Sequence, residues 1–142
     1  MKARIAITCP LVVAAIGMAM PLSAQMTLAD ILGGDGKQGT LLETLIEAAR
    51  EYPLGSEENP VRADMPKGQR AYLNRLRCEN GKAPSYSRVG SLGVGPFGRI
   101  VDGYEVICKG SAPAKTTIVM DMYHKGYAET EAVPGFTIEE AR

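Results

Sequence analysis

Asp121, Tyr123 and His124 stand within four residues of one another in the stretch DMYHKGY. At neutral pH a histidine can act as a general base or a metal ligand, a neighbouring carboxylate can orient its ring, and a phenol can donate a proton. His124 is the only histidine in the chain. Imidazole chemistry would therefore centre here, with His124 as base, Asp121 to orient it and Tyr123 as donor, in a small hydrolase or a metal-dependent enzyme. The set lacks a nucleophile, because none of Ser56, Ser85, Ser87, Ser91 and Ser111 sits in a nucleophile-elbow sequence. A zinc site would need two or three further ligands that no spacing supplies, so neither a metal site nor a cofactor is expected. The competing reading makes His124 and Tyr123 hydrogen-bonding members of the fold, with no chemical role.

A second group of candidates comes from uneven charge. From Gln25 to Glu58 there are seven acids against Lys37 and Arg50, whereas from Arg62 to Arg88 there are seven bases against Asp64 and Glu79. Either the acidic N-terminal segment lies beside the basic one, or Arg75, Arg77 and Arg88, with Arg70, leave a patch for an anionic ligand. The loop GSEENPVR, Gly55 to Arg62, offers carboxylates at Glu57 and Glu58 but not the dense oxygen set of a calcium loop, and reads as an ordered turn. A third motif, GVGPFG at 93–98, fills the G-x-G-x-x-G template of dinucleotide loops. That fingerprint needs a helix to start on its last glycine. Here the alternating run RIVDGYEVICK follows, so Gly93 to Gly98 reads as a hairpin connection between strands.

The opening residues show the layout of a secretory leader: Lys2 and Arg4, an apolar run from Ile5 to about Met20, and small residues at Ser23 and Ala24. Cleavage after Ala24 would leave one domain at 25–142 with Cys78 and Cys108 as its two cysteines. In the oxidising setting that export implies, the pair is expected to form a disulfide. The expected location is the periplasm or the medium, with no stable membrane insertion once the leader is gone. Loss of Lys2 and Arg4 leaves fourteen bases against sixteen acids, which gives no general pull toward nucleic acid.

Certain elements must carry these groups. Thr40-Leu-Leu-Glu43 reads as a capping box opening a helix over about Leu41 to Tyr52, with Leu41, Leu42, Leu45, Ile46 and Ala49 on one stripe and Pro53 as its stop. Proline-rich residues 53–69 read as a connecting loop, and Arg70 to Arg77 as a short helix in preference to a strand. Alternation then marks strands over about Tyr86–Leu92, Arg99–Lys109 and Thr116–Tyr123. The expected fold is α+β: an N-terminal amphipathic helix packed on a small antiparallel β-meander, with one disulfide.

The succession GSEENPVR (55–62), YLNRLRC (72–78), RVGSLGVGPFGRIVDGYEVIC (88–108), DMYHKGY (121–127) and VPGFT (133–137) resembles a group of small exported bacterial proteins of unknown function. The resemblance spans about Tyr52 to Thr137; it implies an extracytoplasmic, compact domain and carries over no catalytic residue. The function expected from the chain is thus a non-enzymatic envelope or secreted binding module, meeting a protein or an anionic cell-surface ligand through the basic residues and the hairpin tip around Phe97. The alternative is the enzyme built on Asp121, Tyr123 and His124.

Overall fold

The computed structural model describes residues 34 to 140, so the leader expected at 1–24 lies outside the described residues. The first element, α1, spans Gly34–Ala49. It begins ahead of Thr40, which therefore lies inside the helix and does not cap it; instead the Thr44 hydroxyl donates to the Thr40 carbonyl at 2.9 Å. Glycine lowers helix stability by about 1 kcal/mol per residue without forbidding the conformation, so Gly34, Gly36 and Gly39 do not keep the helix from starting ahead of the expected capping box. Leu42, Leu45 and Ile46 are half-buried and Ala49 is buried, while Leu41 is exposed.

A strand that the periodicity did not reveal comes next: β1, Val61–Asp64, with Val61 and Ala63 buried and Arg62 and Asp64 half-buried. Helix α2, Met65–Arg75, follows at once and gives way to β2, Leu76–Arg77. The helix expected at 70–77 thus starts five residues earlier and ends in two residues of strand. Then come β3 (Ser85–Val94), β4 (Ile100–Ile107), β5 (Lys115–Asp121), β6 (Tyr123–Ala128) and β7 (Thr137–Ile138).

The three strands expected from alternation pair as a meander, β3 to β4 and β4 to β5, both antiparallel. The sheet as a whole is mixed, which corrects the purely antiparallel expectation. Its order is β3-β4-β5-β1-β6, with β1 parallel to β5 and antiparallel to β6. The cause is the connection between β5 and β6, the single residue Met122. A hairpin needs at least two loop residues, so β6 cannot fold back on β5. The earlier strand β1 pairs with both, and the Met65 amide donates to the Met122 carbonyl at 2.8 Å.

The helix laid against the sheet is α2, which packs on β1 and β6; the expectation assigned that place to α1. Tyr72 and Leu73 of α2 join Leu76, Val61, Tyr104, Val106, Ile118, Met120 and Val133 in the core. β2 pairs with β7 beside it. The expected disulfide joins Cys78, just after β2, to Cys108, just after β4, with Cα atoms 5.9 Å apart. Among the described residues, no helix is long and apolar enough to cross a membrane.

GVGPFG is a hairpin connection, as expected. The Gly95 amide donates to the Arg99 carbonyl at 2.7 Å, the Gly98 amide donates to the Gly95 carbonyl at 3.0 Å, and Gly98 takes the left-handed φ of 72° that closes the turn.

Candidate functional site

Strand geometry keeps Asp121 beside His124 and turns Tyr123 away from both. Asp121 ends β5, and Tyr123 and His124 open β6, where successive side chains point to opposite faces. The side chains of Asp121 and His124 are 1% and 7% exposed, while Tyr123 is 39% exposed and faces out beside Arg99, whose guanidinium carbon is 6.0 Å from its ring centroid. Asp121 Oδ1 accepts the Tyr123 amide at 2.9 Å. Asp121 Oδ2 stands 3.2 Å from His124 Nε2, yet both atoms are buried without a hydrogen bond. The Phe97 ring meets the imidazole edge to face at 5.5 Å. Phe97 is itself buried, so the hairpin tip closes over His124 instead of presenting a ring to a partner.

The three candidate arginines are already engaged. Arg77 forms a two-pronged pair with Glu139, its Nε donating to Oε1 at 3.0 Å and its Nη2 to Oε2. Arg88 donates to Asp102 Oδ1 at 2.7 Å, and behind that carboxylate Gln69 Nε2 donates to Oδ2 at 3.1 Å while the Tyr104 hydroxyl donates to Gln69 Oε1 at 3.0 Å. Burial, and then the Asp102 charge, push the Tyr104 phenol above its usual range. Arg75 differs from the other two, because its guanidinium donates to two main-chain carbonyls, those of Glu139 and Glu129. Arg75 and Arg77 therefore meet at Glu139, whereas Arg88 belongs to a separate network. None of these partners lies in the acidic segment before Glu58.

A polar cluster that local reading missed forms where β1 enters between β5 and β6. Arg62 of β1 donates through Nη2 to the Tyr127 hydroxyl at 2.6 Å and stands 3.6 Å from Glu129 Oε2. Tyr127 in turn donates to Glu129 Oε2 at 3.1 Å, and Glu129 Oε1 accepts the amides of Thr130 and Glu131 at 2.9 and 3.2 Å. Glu129 is 5% exposed. Burial, followed by the Glu129 charge, raises the Tyr127 phenol, with Arg62 acting in the opposite direction. Gly126 makes the cluster possible. Three residues along a strand would place His124 and Tyr127 on opposite faces, but Gly126 at φ 75° shifts the phase so that both turn inward. No spacing in the sequence signals this cluster; only the pairing of β1 with β6 does.

Among the described residues, the β3–β4 ribbon carries the largest set of exposed aliphatic groups. Within β3 only Tyr86 and Gly90 are even half-buried. Val89, Leu92, Val94 and Ile100 are exposed, with Val94 directly opposite Ile100. Leu92 lies flat over Gly103, where a Cβ would come within 3.1 Å of its Cδ1. β3 ends the sheet, so no strand among the described residues pairs with its outer edge.

No protein-family model matches the chain, and no curated protein or solved structure is significantly similar to it.

Proposed function

We propose that the chain is an exported, disulfide-held, non-catalytic interaction module of the periplasm or the medium, and that it binds an extended polypeptide along the β3–β4 ribbon. The observation that carries this reading is the free edge of β3 beside Val89, Leu92, Val94 and Ile100. An edge strand offers unpaired main-chain donors and acceptors to an added strand, and aliphatic groups beside it favour an apolar partner segment. The ribbon is almost without free charge, since Arg88 is held by Asp102. The enzyme alternative draws less support, because Asp121 and His124 are enclosed and Tyr123 faces the other way.

The test is site-specific photo-crosslinking in the native host, with the crosslinking residue at Val89 or Val94 and, as control, at the exposed Lys109 after β4. The ribbon positions should give one discrete adduct that Lys109 does not. Val94→Thr beside the crosslinker at Val89, and Val89→Thr beside that at Val94, exposed positions where threonine keeps the strand preference, should weaken it while leaving the melting temperature nearly unchanged. Adducts of equal pattern at all three positions would refute the reading.

A further inference from the structure

Two clefts meet at Arg62. One, of about 270 Å³, is floored by the small residues Ala63, Gly68 and Ala71 and walled by the Tyr72 ring. The other, of about 300 Å³, runs toward Arg50 and Asn59. Arg62, Tyr127 and Glu129 line both, and Arg75 lines the first. Each is near the lower limit of ligand pockets, roughly 300 to 1,000 Å³.

Charge around the first cleft is unbalanced. Glu129 spends its carboxylate inward, on two amides and the Tyr127 hydroxyl. Arg62 has only that carboxylate within 4 Å among the described residues, at 3.6 Å; its guanidinium carbon lies 4.1 Å from the Tyr127 ring centroid, and its Nε and Nη1 have no hydrogen-bond partner among the described residues. Arg75 is held by two carbonyls, with its guanidinium carbon 5.9 Å from the Tyr72 ring centroid, and makes no ion pair among the described residues. Two guanidinium groups thus face a largely apolar cleft with one carboxylate between them, and that one near Arg62 alone, where a cation short of counter-charge is costly. A ligand carboxylate would supply the missing charge in the planar geometry that guanidinium groups match. A doubly charged phosphate would bring a second negative charge toward Glu129.

We propose that these joined clefts bind a small organic acid, its carboxylate on Arg62 and Arg75 and its apolar body over Ala63, Gly68 and Ala71. The site lies apart from the β3–β4 ribbon and stands whether or not the ribbon binds a partner. The probe is hexanoate, titrated into the disulfide-bonded protein by calorimetry and amide NMR, beside hexanamide, which lacks the charge, and inorganic phosphate, which lacks the body. Hexanoate should bind saturably and shift the amides of Ala63, Gly68, Ala71 and Ala128. Hexanamide and phosphate should bind at least about tenfold more weakly, and Arg75→Met should weaken hexanoate by about tenfold or more, the worth of one charge-assisted hydrogen bond.

Gly68→Leu separates binding from folding. A Cβ there meets Ala63 and Asp64 only at 3.5 to 3.6 Å, ordinary contact, and leucine favours a helix over glycine. That variant, with Ala71→Leu as its companion at an exposed helix position, should fill the cleft and abolish hexanoate binding while leaving the melting temperature equal or higher. Phosphate binding as tightly as hexanoate, hexanoate affinity surviving in the two filled variants, or the absence of saturable binding would each overturn the proposal.

Discussion

His124 and Tyr127 leave the same strand three residues apart and enter polar clusters of opposite kinds. At His124 a carboxylate and an imidazole lie buried 3.2 Å apart with the facing atoms of both unbonded, closed over by Phe97. At Tyr127 the hydroxyl is donor and acceptor at once, and the carboxylate behind it is met by two amides and an arginine. The difference lies in what reaches each site. Arg62 comes to Tyr127 from β1, whereas the His124 pocket receives mainly apolar surface. A buried charge whose every partner is in place is expensive to disturb on one side only; an imperfectly bonded pair contributes little to begin with.

The largest expected effect is therefore at Glu129. Glu129→Ala strips partners from two amides, the Tyr127 hydroxyl and Arg62 together, and should cost about 3 to 5 kcal/mol. Urea unfolding followed by circular dichroism would read this as a lowered midpoint at unchanged slope. A loss under about 1 kcal/mol would erase the contrast between the two clusters.

Tyr127→Phe probes the same cluster more gently and should cost about 1 to 3 kcal/mol, since it removes two hydrogen bonds, one accepted from Arg62 and one donated to Glu129. Its signature is in the pH dependence. Burial raises the phenols of Tyr127 and Tyr72 above their ordinary value, in Tyr127 with help from Glu129. The unfolded chain then releases these protons first, near pH 10, so their contribution to stability is complete below that pH and is lost as pH rises toward the folded values. Wild type should weaken above about pH 10, and Tyr127→Phe should lose part of that slope. An identical alkaline slope in the two proteins would place Tyr127 in water.

What could be read along the chain was whatever depends on neighbours. Alternation found β3, β4 and β5, the cysteine count found the Cys78–Cys108 bridge, and Gly98 with its following β-branched run found the hairpin. Four-residue β1 is too short to show a period, and its place between β5 and β6 follows from the one-residue link at Met122, a constraint on pairing and not on composition. The candidate site failed to be legible for the same reason. Adjacency in DMYHKGY suggested a cluster of three; Asp121 and His124 do meet, but the strand sends Tyr123 to the opposite face. Arg62 and Tyr127, 65 positions apart, meet because β1 reaches β6.

His124→Leu, of similar volume, sharpens the comparison from the other side. It removes one of two buried atoms that lack a hydrogen bond and keeps the contact with Phe97, so the change in stability should stay within about 1 kcal/mol. A loss of about 3 kcal/mol or more would mean that Asp121 and His124 form a true ion pair in solution, and the two clusters would then be alike.

The smallest effect is expected at Tyr123. Its amide, not its ring, bonds Asp121, and the ring stands in solvent near Arg99, where such a contact is worth at most about 0.5 to 1 kcal/mol. Tyr123→Thr keeps that amide and the strand preference, so stability should move by no more than about 0.5 kcal/mol. The informative measurement is a double-mutant cycle with His124→Leu. Since the two side chains face opposite ways, their effects should add; a coupling above about 0.5 kcal/mol would mean that the ring reaches the buried pair, and Asp121, Tyr123 and His124 would again have to be treated as one unit.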